Sequence, residues 1–458
     1  MYNKKLLIVP IVAASMVLAT ACGNSTTTTN STNTTASEST NIAGRLNRSD
    51  VKTTQKLTNN SDGKHVIEVD NKSESYANTE VVKTGDSDGD EADFYGENSA
   101  IFATNGATLD LKDMIVDTNG THANGVFSYG EGTTVNISDS YITTAGNCSG
   151  ALMTTGGGTM NVNNVTAETS GNSSATIRSD RGGGNVNVNK GYYKTTGTGS
   201  PAIYSTANIT VSDAYLESTA SQGVVVEGKN SVTLNNVTLN ADNNKKNSDK
   251  SSYYQAVMIY QSMSGDASEG KSSFTMNGGT LTNANGDIFF VNNTSSDITL
   301  SKATITNNDA NGVFLRAAAA GWGKEGSNGG KVNLRASNQT INGNMIVDDV
   351  STLNLYLTDS SNYTGAINPD GQKGSVYVEV ASGSTWTLTA DSYVSSLTCD
   401  ANSINLNGHK LYVNGVEYTS GTSSSGQAIE IQVASSSDNK GGAPDGKPDK
   451  KPDDNKKK

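Results

Sequence analysis

One short phrase recurs through the middle of the chain, and this repeat constrains the fold more than any other feature of the sequence. Each copy alternates apolar and polar residues, as in Val135-Asn-Ile137. The copies begin at Leu109, Val135, Met160, Val186, Ile209, Val232, Phe274 and Ile298, with weaker copies at Val332 and Leu353. The first five intervals are 26, 25, 26, 23 and 23 residues. This pattern predicts an all-β solenoid, in which each coil contributes two or three short strands with one buried face.

A second apolar phrase follows each copy, and it sets the predicted direction of the side chains. Because stacked coils place equivalent residues over one another, we expect large apolar residues to form one inward column. The predicted inward column is Phe127, Met153, Ile177, Ile203, Val226, Ile259, Phe290 and Leu315. The next residues are then predicted to point outward: Ser128, Thr154, Arg178, Tyr204, Glu227, Tyr260, Val291 and Arg316. A slip of one residue would exchange the two columns.

The composition suits short strands joined by tight turns, and it excludes one class of partner. The chain has 48 Gly and only 6 Pro, and the repeats are rich in Asn, which tolerates positive φ in turns as Gly does. The formal net charge is −12 at pH 7. Since phosphate recognition needs clustered Lys and Arg, we expect no nucleic-acid partner.

The first 46 residues have the pattern of an export signal followed by a tether. Lys4 and Lys5 precede an apolar run from Leu6 to Leu18 that is too short for a permanent transmembrane helix. The run leads to Ala19-Thr-Ala-Cys22, which resembles a bacterial lipoprotein processing site. The resemblance implies that residues 1–21 are removed, that Cys22 is lipidated, and that the protein is exported and anchored to the outer face of the cell membrane through lipid alone. An ordinary secretory signal is the alternative.

Composition divides the chain further into a tether, a capped body and a tail. Residues 22–46 are predicted to be a disordered Thr/Ser/Asn tether and residues 435–458 a disordered Lys/Asp/Pro/Gly tail. Between them we predict an N-terminal cap with the first coils over 47–100, a parallel β-helix over 101–358, and the last coils with a C-terminal cap over 359–434. Trp386 is expected to cover the last coil.

Three insertions interrupt the repeat, at residues 242–253, 262–272 and 317–330. The second and third leave the same corner of the coil, directly after the second apolar phrase. Loops that grow from one edge of a solenoid either build its binding face or occupy a turn that tolerates insertion, and the sequence leaves both explanations open.

The coil phrases and the closing stretch resemble a known class of proteins. Phrases such as Gly125-Val-Phe-Ser-Tyr-Gly130 resemble the right-handed parallel β-helix of adhesin-like surface proteins and autotransporter passengers. The stretch from Trp386 to Val413 is similar to the caps of those passengers. Over residues 66–418 the resemblance implies a right-handed parallel β-helix with N-terminal and C-terminal caps, a pectin-lyase-like fold and a role as a surface adhesin. The same fold also carries polysaccharide lyases and hydrolases.

An enzyme of this class needs carboxylates that converge on the scissile bond, and the sequence offers few candidates. The hydrolase pattern is reduced to the pair Asp348-Asp349, which also suits a turn. Arg178, Asp180 and Arg181 suit either a lyase site or an ion-paired turn. A polysaccharide-active enzyme therefore stays the alternative, with no residue assigned to catalysis. Convergence of Asp180, Glu227 and Asp287 within about 6 Å would favour it.

The densest group of carboxylates suggests calcium. Asp86, Asp88, Asp90 and Glu97 match positions 1, 3, 5 and 12 of a calcium loop, and their oxygens suit a hard cation. Glu91 stands where such loops have glycine, so a solvated acidic turn is the alternative. His65, His122 and His409 lie in separate parts of the chain without ligand spacing, so we expect no transition-metal site.

The outward column carries the functional hypothesis. It contains aromatic and charged residues at one position per coil, and a nearby insertion adds Trp322. Rows of aromatic faces and charge-paired donors bind sugars through stacking and hydrogen bonds. The predicted ligand-binding residues are Arg178, Asp180, Arg181, Tyr204, Glu227, Tyr260, Arg316 and Trp322. We predict a non-enzymatic adhesin or glycan-binding module whose partner is a surface glycan, a host polymer or a cell-wall polymer. A solvated face without a ligand is the alternative.

Overall fold

The computed structural model of the protein describes residues 44–433. The signal segment, the lipidation site Cys22 and the tail 435–458 lie outside this range, so the predictions for them stay predictions. In residues 44–433, no helix combines the length and the hydropathy needed to cross a bilayer.

The protein is a right-handed parallel β-helix with three faces, as predicted. One coil is formed by Val126–Tyr129, Thr134–Ser138 and Tyr141–Thr144, which lie on the first, second and third face in that order. Each strand pairs in parallel with its equivalents in the coils before and after it. Strands on one face are therefore about 4.8 Å apart along the solenoid axis.

The first face is an eleven-stranded parallel sheet. Its strands are Ile67–Asp70, Ile101–Thr104, Val126–Tyr129, Leu152–Thr155, Ile177–Ser179, Ile203–Ser205, Val224–Glu227, Gln255–Tyr260, Asp287–Asn292, Leu315–Ala317 and Met345–Val347.

The second and third faces are joined by two long strands, Gly158–Thr169 and Gly184–Thr195, which run through both. The other strands of the second face are Ser73–Ala77, Thr108–Lys112, Thr134–Ser138, Asn208–Ser212, Ser231–Asn235, Lys271–Asn277, Thr294–Ser301, Gly330–Ser337, Thr352–Thr358, Ser375–Val380 and Ser396–Cys399. Those of the third are Gln55–Asn59, Thr79–Lys83, Ile115–Thr118, Tyr141–Thr144, Tyr215–Ser218, Thr238–Ala241, Thr280–Asn283 and Thr304–Asn307.

The C-terminal coils form two smaller sheets, and two short helices complete the secondary structure of the described residues. One sheet contains Thr340–Asn342, Asn362–Thr364, Thr385–Thr387 and Ile404–Asn405, and the other contains Ser392–Val394, Leu411–Val413 and Val416–Glu417. Ser424–Ser425 pairs antiparallel with Ser396–Cys399. The helices are a 3₁₀ turn at Arg48–Asp50 and an α-helix at Asp90–Phe94, which we call α1.

The corner between the second and third faces explains why the repeat is rich in Asn and Asp. Asp113, Asp139, Asn164, Asp213 and Asn236 occupy this corner in five of six successive coils, with φ between 50° and 55°, and Lys190 occupies it in the sixth with φ 61°. Asn and Asp adopt this left-handed conformation more readily than other non-Gly residues, so the turn selects them. Asn side chains also bond along the stack, as where the Asn164 amide donates to Asp139 at 2.8 Å.

The predicted inward column is right in some coils and wrong in others. Ile177 and Ile203 are paired in register and fully buried in the main core, as predicted. Val226, Ile259 and Leu315 are also fully buried in this core, as predicted. Phe127 and Met153 instead share a register position with Arg178, and Phe290 is paired with Arg316. Phe127, Met153 and Phe290 therefore point outward. Consequently Ser128, Thr154 and Val291 point inward. The prediction assigned every large apolar residue to the interior, but the outer side of the first face is itself covered.

The weaker repeat copies follow the stack in a shifted register. Ile298 pairs with Leu334, two residues later than the alignment of phrases predicts, and Leu300 pairs with Ala336. A shift of two residues keeps the same side chains inside, because the side-chain period of a strand is two.

Trp386 does not cover the last coil but lies inside the solenoid. Its side chain is fully buried, its ring stacks on Tyr363 at 5.7 Å, and its Nε1 donates to the Gly365 carbonyl at 3.0 Å. Ile404 pairs with it from the following coil. The end of the solenoid is therefore closed beyond Trp386.

Candidate functional site

Four long connections rise around the first face and enclose a groove of about 1260 Å³, which we call the loop-walled groove. Residues 84–100 and 242–254 precede first-face strands, so they stand at one edge of this face. Residues 261–270 and 318–329 follow first-face strands and stand at the opposite edge. The two insertions predicted to leave one corner do so, whereas the wall formed by residues 84–100 was not recognised as an insertion.

α1 covers the N-terminal part of the first face. Beneath it, Phe102, Phe127 and Met153 form a buried cluster on the outer side of the sheet. Gly96 has φ +81°, and a Cβ at this position would lie 2.9 Å from the Phe127 ring. The close approach of this connection to the sheet therefore requires glycine. This cover buries the large apolar residues that were predicted to face the core.

Arg178 lies below the groove, in a buried ion-pair cluster. Its guanidinium donates to Asp180 at 2.8 Å and to Asp93 of α1 at 3.3 Å, and Asp93 is also 3.7 Å from His122. Burial raises the pKa of the Asp180 carboxyl to about 7, while the charge of Arg178 opposes this effect. The predicted ligand-binding pair Arg178 and Asp180 therefore holds α1 on the sheet.

Arg181 joins two walls of the groove. It donates to Asp90 of α1 at 3.1 Å and to Asp266 of the 261–270 connection at 3.0 Å. Its guanidinium also lies 3.6 Å from the centre of the Phe94 ring. Arg181, Asp90, Phe94 and Asp266 all line the groove, so this charged contact faces the groove.

The floor of the groove is formed by Tyr204 and Tyr260 above a buried carboxyl group. The Tyr204 hydroxyl donates to Glu227 at 2.5 Å, and the Ser262 hydroxyl donates to the other oxygen of Glu227. Burial raises the pKa of Glu227, and the two hydroxyl donors oppose the rise. Trp322 packs edge-on against Tyr260, with ring centres 5.1 Å apart. The predicted aromatic residues are thus brought together.

The predicted outward row is nevertheless split between two register positions. Tyr204 pairs with Val225, and Glu227 pairs with Tyr260, two residues further along the strands. The expected single line of side chains is therefore two short lines on the same outer side of the sheet.

Arg316 and Asp287 lie away from the groove lining. Arg316 donates to Asp287 at 2.6 Å and stacks over Tyr253 at 4.3 Å, so it fixes the 242–254 connection. Glu227, Tyr260 and Asn292 occupy one register position on neighbouring strands. Asp287 lies five residues before Asn292 on the same strand. At about 3.3 Å per residue, Asp287 is roughly 16 Å along the strands from Glu227. Asp180, Glu227 and Asp287 therefore do not converge.

The four predicted calcium ligands have separate partners. Asp86 accepts from the Thr121 backbone at 2.7 Å, Asp88 from Gly89 at 2.9 Å and Glu97 from the Ser87 hydroxyl at 2.6 Å, while Asp90 binds Arg181. These contacts give calcium no common ligand set, and calcium binding stays a prediction.

A different trio of ligand-type residues meets near the groove. Within residues 44–433, the one group with ligand atoms all within 4.8 Å of one another is Asp93, His122 and Cys148. The Arg178 guanidinium lies 3.3 Å from Asp93 and already neutralises it, so the trio does not make a convincing metal site. His65 stacks on Phe102 at 4.5 Å, away from this trio.

Comparison of the chain with protein-family models, with curated proteins and with solved structures gives no match in any of the three.

Proposed function

We propose that the protein is a glycan-binding protein of the bacterial cell surface that binds sugars in the loop-walled groove without cleaving them. The observation that carries the proposal is that Tyr204, Tyr260 and Trp322 line the same groove as the Arg181 ion pairs. Aromatic faces stack on sugar rings, and planar charged groups hydrogen-bond to hydroxyl groups. A surface glycan, a host polymer or a cell-wall polymer would each offer both features.

The groove is held in shape before a ligand arrives. Arg181 is fixed by Asp90 and Asp266, and Tyr204 is fixed by Glu227. Side chains held in this way lose little conformational freedom on binding, which lowers the entropic cost of association.

The carboxyl groups with raised pKa values do not reach the groove, and two of those that line it, Asp90 and Asp266, are paired with Arg181. Glycosidases place two carboxyl groups about 5–10 Å apart on either side of the scissile bond. Asp180 and Glu227 are nearly inaccessible, at 3% and 0% exposure, and neither lines the groove. Their oxygens are engaged by Arg178, Tyr204 and Ser262.

A polysaccharide-active enzyme is the second candidate, and one observation favours it. The pKa of Asp180 is raised to about 7 and that of Glu227 is raised as well, as in residues that act as general acids. Incubation of the purified protein with polyuronates and neutral polysaccharides, followed by measurement of new reducing ends and unsaturated products, tests this candidate. Product formation that disappears in Glu227→Gln would replace the binding proposal.

A glycan array with matched variants tests the binding proposal. Trp322→Ala removes one ring from the Trp322–Tyr260 pair in the groove, whereas Tyr412→Ala removes one ring from the stacked Tyr393–Tyr412 pair, 4.9 Å apart, in the C-terminal region. We expect Trp322→Ala to weaken binding by about 0.5–1.5 kcal/mol or more and Tyr412→Ala to leave it unchanged. Equal effects of both variants, or no glycan bound by the wild type, would contradict the proposal.

The surface location rests on Cys22 and needs its own test. We expect Cys22→Ala to release the protein from the membrane fraction, because the acyl chains that anchor a lipoprotein are attached to this cysteine. Retention of the variant after a high-salt wash would contradict the lipid anchor and leave glycan binding untouched.

A further inference from the structure

The loop-walled groove is closed on its N-terminal side by a contact that spans the first face. Asp90 belongs to a connection that precedes a first-face strand, whereas Arg181 follows the strand Ile177–Ser179. These two side chains start from opposite edges of the face and meet at 3.1 Å above it. Phe94 adds to the contact, because its ring lies 3.6 Å from the Arg181 guanidinium.

A second contact closes the groove on its C-terminal side. Lys250 precedes the strand Gln255–Tyr260, and Gly321 follows Leu315–Ala317, so they too start from opposite edges. The Gly321 amide donates to the Lys250 carbonyl at 3.2 Å. A Cβ on Gly321 would lie 2.6 Å from the Lys250 backbone, so the two connections touch closely.

Between these two bridges the groove reaches both edges of the first face. At one edge its lining includes Ser173 and Asn247, and at the other it includes Ser295 and Lys331. Asn293 forms the rim at the second edge, where its side-chain amide donates to the Gln261 carbonyl at 2.8 Å and its backbone amide to the Asn328 carbonyl at 2.9 Å. The groove passes over this rim to Ser295, Lys331 and Gln432. The groove is therefore blocked along the solenoid axis and continuous across it.

From this geometry we infer that a glycan chain crosses the first face at right angles to the solenoid axis. It passes Asn247 at one edge, lies over Tyr204 and Tyr260, and leaves beside Lys331. The inference rests on the proposed function and adds the direction and length of the bound segment. The floor is about 20 Å long, the length of a six-residue strand such as Gln255–Tyr260. Only a short segment is held, and the chain continues into solvent on both sides, so internal segments of a long polymer bind as well as ends.

Four tryptophan substitutions distinguish a crossing path from an axial one. Asn247→Trp and Lys331→Trp place a bulky side chain at the two edges of the groove. Glu68→Trp and Ile346→Trp place the same side chain on the first face beyond the two bridges, since Glu68 is in register with Phe102 and Ile346 with Arg316. Thermal melting of each variant shows whether it folds as the wild type does.

Binding is measured with fluorescently labelled oligosaccharides of glucose, N-acetylglucosamine and galacturonic acid, each long enough to extend past both bridges. For the oligosaccharide that the wild type binds, we expect each edge variant to lose about tenfold or more in affinity, and each variant beyond the bridges to change it by less than about twofold.

The possible results separate the two proposals. If the wild type binds none of the probes, nor any glycan on the array, the proposed function fails and the crossing path fails with it. If the wild type binds but Glu68→Trp or Ile346→Trp weakens binding more than the edge variants do, the path is axial and only this inference is overturned. Binding that none of the four variants affects also overturns it, because the ligand then lies outside the groove.

Discussion

Replacement of Arg178 by Ala tests whether the first face is covered, because the loss of folding free energy should be small for an exposed arginine and large for a buried one. On an open outer face the substitution would change the free energy of unfolding by less than about 0.5 kcal/mol. In the structure the Arg178 side chain is 8% exposed and pairs with Asp180 and Asp93, whose side chains are 4% and 14% exposed. Removing one partner of a buried ion pair costs about 3–5 kcal/mol, because it leaves an uncompensated charge. We expect a cost in this range at pH 8.

The loss of folding free energy caused by Arg178→Ala should become smaller as the pH is lowered. The pKa of Asp180 in the folded protein, about 7, lies above the usual value for Asp of about 3.9. A group with a raised folded pKa binds its proton more tightly in the folded state, so its contribution is fully present below the unfolded pKa and is lost as pH rises through the folded pKa. Without Arg178 the neutral form is favoured further, so protonation at pH 5 should recover much of the stability.

Urea denaturation at pH 5 and pH 8 measures both effects. Arg335→Ala serves as the control, because Arg335 is exposed and stacks on Tyr356 at 4.3 Å without a buried carboxylate. Asp180→Asn removes the titrating group, so it should flatten the pH dependence of stability between about pH 4 and pH 7. If Arg178→Ala costs no more than Arg335→Ala at pH 8, the buried cluster is not formed and α1 does not cover the first face.

Two further substitutions test the core and the cover. Ile203→Asp should cost several kcal/mol in urea denaturation, because it buries a carboxylate without a partner, whereas Asn208→Asp on the exposed side of the second face should cost far less; equal costs would mean that the register of Ile203 is wrong. Gly96→Ala should lower the melting temperature more than Gly106→Ala does, since both glycines have positive φ but only a Cβ on Gly96 meets a neighbour, the Phe127 ring at 2.9 Å; equal shifts would show that α1 does not press on the sheet.

The repeat predicted the fold well because its signal is local. The alternation in Val135-Asn-Ile137 marks one strand, and the Asp139 that follows marks the left-handed corner; both can be read without knowing any distant contact. Stacking then follows from the repetition itself, since each strand buries its apolar side against an equivalent neighbour. The alternation also survives a shift of two residues, so the inside of the second face is predicted correctly even where the exact pairing is not.

The first face was harder to predict because hydrophobicity there does not separate inside from outside. Phe127 is fully buried although it points away from the core, since the connection of residues 84–100 covers it at Gly96. A rule that places the largest apolar side chain inside works for Ile177 and fails for Phe127, and only the connection that folds over the sheet makes the difference. That connection was interpreted as an acidic calcium loop, so its role as a wall was missed.

The residues of the site could be selected individually from the sequence, but their combination could not. Asp90 and Arg181 were both noted, one as a metal ligand and the other as a sugar ligand, yet they are 91 residues apart and bind each other. Asp266 was not selected, although the insertion that carries it was recognised. No sequence signal shows how far along the solenoid a connection leans, because that depends on packing against coils that are distant in the chain.

The solenoid allows such a site because the walls and the core are built from separate residues. The inward residues Val226, Ile259, Val291 and Ala317 pair in register across successive coils. After these residues the chain makes a short turn, a long insertion, another short turn and another long insertion, and parallel pairing on the second face continues after each of them. The length of a connection therefore does not disturb the stack, since each coil is fixed by its neighbours on three faces. A groove bordered by four such connections can therefore change its shape through the connections alone, while the core that holds them stays the same.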